Sequence, residues 1–479
     1  MGDVTPLTRT TSRAAEAGRE RRNALPRKDL GMLAPRPLNF DPVALIQAQG
    51  VPRVPDLLPL RHQRMAANEF AFLRGSAGTM AYDLALTPST GLDVQLCGDA
   101  HVANFGVFLS PERRLVFDVN DFDETLPGPF EWDVKRLVAS AAVALSAQGH
   151  SEKAIVSVVR SAAESYRVAM RDLAQLGNLD VWNRKLDLET NLDELRKVFV
   201  RNGVSAIDAI IAKAQRSSSM RSFQKMVAFD GGRLRFLSDP PVLVPYDEIM
   251  HESGIRQQTN FTGLDVKSIL EIILEDYSKT LISDRAHLLT TYEPVDLARK
   301  VVGVGSVGTR CFVFLLLGRD MDDPLILQIK EAMPSVLESH LGPSHFDNSG
   351  QRVVEGQRLM QTTPDAFLGY VRVHYSDTES HDFYIRQFHD GKASPDIEVI
   401  EDAELFKSFV NVCASTLARA HARSGDRAAI AAYLGNSPSF DKAMVEFALA
   451  YVERNRADYG LFCDAIAEGR IEALPQPTA

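Results

Sequence analysis

Apolar positions change period along the chain, and each change predicts a different kind of element. From Val94 they come in short extended runs, residues 94–96, 107–109 and Leu115–Val119, separated by polar loops, the pattern of short strands around a loop. Farther on, Ile155, Val158, Val159, Ala162, Tyr166, Ala169, Met170 and Leu173 recur at intervals of three and four, one stripe of an amphipathic helix. Leu270, Ile273, Tyr277 and Leu281 repeat that spacing. Residues 217–245 between them are mixed and carry an Asp230-Gly-Gly hairpin signal. Near Val295 the pattern turns β-rich: residues 301–317 around a glycine-rich turn, then strands at 325–329, 368–375 and 383–388, with a short helix at 351–361. Beyond Asp402 the chain reads as helical, with Phe406, Phe409, Cys413 and Leu417 on one face. Residues 61–75 are mixed and fit neither period.

These patterns divide the chain into a disordered basic tail at 1–36, a helical region at 37–294, a compact β-rich unit at 295–392 and helices at 393–479. Residues 151–290 are a helical stretch without recognisable ligand chemistry. The tail assignment rests on eight Lys/Arg against four Asp/Glu and few large apolar residues. The expected fold is α+β and two-lobed, with a small β-rich lobe and a larger helical lobe assembled from both flanking stretches.

Composition narrows the function. The chain has 479 residues, 45% hydrophobic and 24% charged, with a formal net charge of −10. That balance argues against a dedicated nucleic-acid binder, which presents a basic face. The longest apolar run, Cys311–Leu317, is far shorter than the ~20 residues of a membrane span. With no apolar leader at the N-terminus, no membrane partner and a cytoplasmic location are expected. Cys97, Cys311, Cys413 and Cys463 lie far apart with no C-x-x-C pair, the usage of a reducing compartment.

Three stretches carry candidate chemistry. Gly98-Asp99-Ala100-His101-Val102-Ala103-Asn104 places an Asp and an Asn five residues apart on a loop between short strands. Such a pair suits phosphoryl transfer, with Asp99 orienting a substrate hydroxyl and Asn104 ligating magnesium; two Asx-type turn caps would look the same. Asp118-Val-Asn120-Asp121-Phe122-Asp123-Glu124 crowds four acids into seven residues at the end of an apolar strand. Mutual repulsion there calls for a nearby cation, a solvated turn being the alternative, and Phe122 and the missing glycine exclude an EF-hand. Gly303, Gly305 and Gly308 form a G-x-G-x-x-G, but a strand and not a helix follows. That suits a phosphate-covering hairpin flap and not a dinucleotide fold. Lys330 ends the strand at 325–329, and Glu355 is its natural counter-ion unless Lys330 snorkels and Glu355 pairs locally with Arg352 or Arg358.

Glycine flap, strand lysine, helix glutamate, Asp-x4-Asn loop and Asp-Phe-Asp together resemble the protein-kinase-like phosphotransferases. GDAHVAN looks like the GDLHxxN loop of aminoglycoside and choline kinases. NDFDET followed by Phe130-Glu-Trp-Asp133 looks like their metal-binding IDFxxA and downstream Tyr-Asp-Leu-Ala elements. From about Arg61 the chain is also similar to the bacterial family known as domain of unknown function 2252, through FAFLRG, CGDAHVANFG, NDFDET and VVEGQR.

The resemblance implies catalytic roles for Asp99, Lys330 and Glu355, and Mg²⁺ held by Asn104, Asp121 and Asp123. ATP or another nucleotide would lie under Gly303, Gly305 and Gly308, with Gln328 and Lys330 on its strand. Asp133 would be structural, and His101 would shape the loop. The acceptor would be a hydroxyl on an unidentified small molecule. Two features depart from the pattern. The catalytic loop precedes the flap, which a circular permutation reconciles, because Thr416-Leu-Ala-Arg-Ala-His421 resembles the helix that normally leads into that loop. Gln328 stands where kinases place a small residue over adenine. Three other readings stay open: a nucleotide-binding pseudokinase, a nucleotidyltransferase, and a metal-dependent hydrolase on Asp99, His101, Asp118 and Asp121.

Overall fold

The computed structural model describes residues 11–188, 190, 200–201, 204–205, 219–230, 232–252, 260–261, 263–301, 303, 305, 307–388, 397 and 400–476. Its largest core lies in a helical body. Helices Phe130–Ala147, Glu152–Leu173, Ala403–Ser424 and Ser439–Ala467 bury Leu137, Val138, Tyr166, Phe406, Leu417 and Phe447 against strand residues Leu96 and Val119. Removing such side chains from water stabilises by about 2 kcal/mol each, which is why the predicted stripe at 155–173 turns inward.

The β-rich region is one antiparallel six-stranded sheet. Its strands run, in spatial order, Leu243–Pro245, Glu293–Lys300, Cys311–Leu317, Pro324–Glu331, Ser380–Gln387 and Gly369–His374. Period-two alternation gives the sheet two apolar faces. Leu297, Phe314, Leu325, Leu327, Ile329 and Phe383 pack with Ile269, Leu270 and Tyr277 of helix Val266–Ser278. Val313, Leu315 and Ile326 pack on the other face with Phe223 and Phe236. Gln328 and Lys330 share the side of Ile326, and register sets Lys330 opposite Tyr384 and Cys311. The glycine-rich stretch joins Glu293–Lys300 to Cys311–Leu317 as the expected hairpin, although Val302, Val304 and Ser306 lie outside the described residues. Helix Ser349–Met360 follows the lysine strand.

Two expectations change. Residues 11–36 are not a disordered tail. Helix Thr11–Ala24 packs against helix Arg427–Leu434, where Gly18 lies too close to the Ala429 carbonyl for any Cβ, and Leu30 is fully buried. Small residues permit this close approach, which a composition count does not register. Residues 1–10 lie outside the described residues. The mixed 61–75 stretch resolves into helices Leu58–Met65 and Glu69–Gly75, the second capped by Asn68 accepting from the Ala71 N–H.

The end of helix Ala403–Ser424 abuts strand Asp93–Leu96, which leads into the Asp99 loop. Ser424 Oγ accepts from the Gln95 N–H at 3.0 Å, and a Cβ on Gly425 would meet Val94 at 2.5 Å. Among the described residues no helix is long and apolar enough to cross a membrane.

Candidate functional site

The loop at 97–104 is held from below. Asp133 accepts from the N–H groups of Cys97 at 2.8 Å and Gly98 at 3.1 Å, and its buried carboxylate also meets His421 Nε2 at 3.2 Å. Gly98 has φ +83°, and a Cβ there would sit 2.1 Å from the Glu124 carbonyl oxygen. Only glycine allows the two loops to approach so closely. Asn104 Nδ2 donates to the Asp99 carbonyl at 2.7 Å, and the Asn104 carbonyl accepts from the Asn120 N–H at 2.8 Å, joining this loop to the acidic one.

Asp99 Oδ1 accepts from Arg136 Nε at 2.7 Å, while Arg136 is anchored by the Leu73 carbonyl at 2.8 Å. Burial raises the Asp99 carboxyl, and Arg136 pulls it back down. Burial, then the charges of Arg74 and Arg136, push His101 well below the usual imidazole range, so the ring is neutral and shapes the loop.

Lys330 finds its counter-ions in the acidic loop. Its Nζ pairs with Asp123 and lies 3.9 Å from Asp121, and the Tyr384 hydroxyl donates to the other Asp123 oxygen at 2.8 Å. Burial opposes the Lys330 charge, but Asp121 and Asp123 more than offset it and raise the ammonium above its ordinary range. One expectation is corrected here. Glu355 does not brace Lys330: it pairs with Arg358 at 3.0 Å, one helical turn away. Asp123, the third expected metal ligand, has one oxygen paired with Lys330 and the other accepting from Tyr384.

Helix Ser349–Met360 contributes Arg352 instead. This buried guanidinium donates to the carbonyls of Thr125, Asp123 and Met333 at 2.7–2.9 Å and so fixes the acidic loop. Gln328 is buried, with Nε2 3.6 Å from Cys311 Sγ and Oε1 accepting from Arg386 at 3.4 Å. Asp118 alternates to the far side of its strand and pairs with Arg419, away from Asp121.

Asp99, His101, Asn104, Asp121, Asp123, Gly303 and Gly305 line one cavity of about 550 Å³; Lys330, Gln328, Glu355 and Gly308 do not line it. An unforeseen segment closes it. Arg53 Nη1 donates to the carbonyls of Gly305 at 3.0 Å and Val307 at 2.8 Å, Arg61 Nη1 to Gly305 at 2.7 Å, and Arg64 to Gly303. The Val54 N–H donates to the Gly308 carbonyl at 2.7 Å, and Leu57, Leu60, Val301 and Val307 form a small core beneath. Nothing in the period of residues 53–64 marks them as partners of a loop some 250 positions away. Arg136 had a signal, since it follows Asp133 by three residues on one helix.

Among the described residues, no group of three or more His, Cys, Asp or Glu is placed to hold a metal ion. Magnesium does not require one, because it is usually bound by one or two protein oxygens plus substrate phosphates. Asn104 and Asp121 fit that role: both line the cavity, and Asn104 commits its amide N–H to Asp99, leaving its amide oxygen as the acceptor.

No curated protein and no solved structure matches the chain. Residues 53–465 match the family described as an uncharacterized protein conserved in bacteria (DUF2252). The matched segment spans the Asp99 loop, the acidic loop, the glycine-rich hairpin and the arginines that close the cavity, and the chain belongs to the DUF2252 family.

Proposed function

We propose that this protein transfers a phosphoryl group from ATP or another nucleotide to a hydroxyl of a small-molecule acceptor. The observation that carries the reading is the meeting of Asp99, Asn104 and Asp121 in one cavity beneath the glycine-rich hairpin, with Lys330 paired to the same acidic loop. The β region supports it too: a glycine loop joins two paired strands, the next strand carries the lysine, and a helix follows, as in the small lobe of kinases. The circularly permuted kinase order draws support from Ser424, whose contact with Gln95 puts the end of one helix at the strand that feeds the Asp99 loop.

Asp99 would accept and orient the acceptor hydroxyl proton, its carboxylate held in one rotamer by Arg136. In the transfer the bond from the terminal phosphorus to the bridging oxygen breaks and a bond to the acceptor oxygen forms. The products are a nucleoside diphosphate, a phosphorylated acceptor and one proton. Mg²⁺ held by Asn104 and Asp121 would neutralise phosphate charge. Lys330 offers a permanent positive charge, kept in place by Asp123 and Tyr384.

Nucleotide binding without turnover is the second reading, favoured by the absence of the Lys330–Glu355 pair. The hydrolase reading is weakened, because Asp118 is committed to Arg419. The test is thermal unfolding with Mg²⁺ and ATP or GTP, followed by product analysis. Saturation at 100 times the dissociation constant stabilises by about 2.7 kcal/mol, a shift of several degrees. A magnesium-dependent shift that Asp121→Asn abolishes supports the site. Nucleoside diphosphate release then separates transfer from silent binding, and pyrophosphate release would indicate nucleotidyl transfer. No shift at millimolar nucleotide would overturn the reading.

A further inference from the structure

The cavity also carries arginines that the proposed reaction leaves unused. Arg53, Arg61 and Arg74 all line it, although the chain as a whole carries a net charge of −10. Four of the five carboxylates that line the cavity pair or hydrogen-bond elsewhere. Asp99 holds Arg136, Asp123 holds Lys330, Glu124 accepts from the Val336 N–H at 2.7 Å, and Glu331 holds Arg310 at 3.1 Å. Among the described residues, the hydrogen bonds of Arg53 and Arg61 go to backbone carbonyls instead. Burial lowers both guanidinium groups and Arg53 lowers Arg61 further, while the Glu124 charge acts on both, and those of Asp123 and Glu331 on Arg53, only in partial compensation.

Arg61 is almost fully buried and spends both terminal nitrogens, on Gly305 and Gly75. Arg53 is only half-buried, and its three bonds use Nε and Nη1 but not Nη2. Its stem packs against Gly308, where a Cβ would meet it at 3.2 Å, so its position is tied to the glycine loop. Arg74 brackets the other side of that loop, with its carbonyl 3.2 Å from where a Gly305 Cβ would sit, and its charge acts on both Asp99 and His101. Guanidinium forks are suited to phosphate oxygens, and desolvated ones most of all.

We propose that Arg53 and Arg74 form an oxyanion subsite that takes a phosphate group of a ligand sharing the cavity with Asp99. The subsite rests on the cavity and its arginines, so it can be tested without magnesium or turnover. Two sources could supply the phosphate: the terminal group of the nucleotide, or an acceptor that already carries one.

The probe is inorganic pyrophosphate, titrated calorimetrically without Mg²⁺ into the full chain and into Arg53→Gln, with a urea midpoint confirming that each protein is folded. Pyrophosphate should bind the wild type in a salt-dependent manner and bind Arg53→Gln roughly tenfold more weakly, the worth of one charge-assisted bond. Arg53→Lys, which keeps the cation but not the fork, and Arg74→Gln provide the same readout should Arg53→Gln fail to fold. No binding to the wild type at millimolar pyrophosphate, or equal binding in all the folded variants, overturns the subsite. AMP, ADP, ATP and glycerol 3-phosphate then separate the sources. A penalty confined to ATP assigns the subsite to the nucleotide; one on glycerol 3-phosphate, equal across the nucleotides, assigns it to the acceptor. Asp121→Asn with Mg²⁺ and ATP tests phosphoryl transfer separately, and pyrophosphate binding can survive a negative result there.

Discussion

Two clusters of buried charge in this protein are built on opposite terms. Between helices Ala77–Ala85 and Ser439–Ala467, Arg36 makes bidentate contacts of 2.6–2.8 Å with both Asp83 and Asp458, and Arg454 adds a bond to Asp83 at 3.0 Å. Two cations face two anions, the Arg36 guanidinium lies 4.4 Å over the Phe40 ring, and Asp83 is wholly buried. In the cavity the pairing is incomplete: Lys330 holds Asp123 and lies 3.9 Å from Asp121, while Arg53 and Arg61 donate to carbonyls and meet the acids only through space. A matched cluster answers its own desolvation, whereas an incompletely paired one leaves charge for a ligand to balance. The first is a structural joint. The second has the character of a binding site.

Breaking the joint should produce the largest loss of stability. Asp83→Ala strands Arg36 and Arg454 beside a lone Asp458, and removing one partner of a buried pair costs about 3–5 kcal/mol. Urea unfolding of the variant measures this, and a loss below about 1 kcal/mol would erase the distinction between the clusters. In the cavity the same kind of change should affect ligands more than folding. Lys330→Met removes a cation that is 3% exposed but leaves Asp121 and Asp123 near 30% exposed and able to hydrate. Its stability cost should stay within about 1 kcal/mol, because an apolar replacement also removes a desolvation penalty. The nucleotide-dependent thermal shift should disappear. Glu355→Gln should change stability by less than about 0.5 kcal/mol, the worth of an exposed pair on one helix, and should leave the nucleotide shift intact. If it abolished that shift as Lys330→Met does, Glu355 would have to reach the site in a state other than this one.

The comparison also explains what was legible in the sequence. Asp99, Asn104 and Asp121 could be read because a loop motif packs its chemistry into a few consecutive residues, and local spacing survives folding. The glycine hairpin and the lysine strand could be read because period-two apolar patterning is strong there. The partner of Lys330 could not, because it depends on which of several acids tertiary packing brings within reach. Asp123 lies 207 positions away, and Glu355 found a nearer arginine. Arg53, Arg61 and Arg352 were invisible for a related reason. Each acts through a backbone carbonyl, a partner present at every position and marked by no residue type. The order of helix 11–24 was missed because charge counts do not reveal that Gly18 and Ala429 allow close contact.

The smallest effect belongs to a pair at the cavity's edge that falls between the two extremes. His381 Nδ1 lies 2.8 Å from Glu331, a residue that lines the cavity, and its Nε2 lies 3.0 Å from Glu379, while Arg310 also reaches Glu331. The hydrogen bond to Glu331 raises the imidazole above its ordinary value, burial opposes the rise, Glu379 adds to it and the Arg310 charge subtracts. A raised histidine stabilises fully below its unfolded value of about 6.5, and the contribution fades as pH climbs through the folded value. Glu331, held low despite its burial by His381 and Arg310, stays charged throughout that window. The wild type should therefore lose about 1 kcal/mol or less between pH 6 and pH 9 relative to His381→Gln. Paired urea midpoints at the two pH values measure the difference. Parallel pH dependence in the two proteins would mean that the His381–Glu331 contact adds nothing to stability in either protonation state.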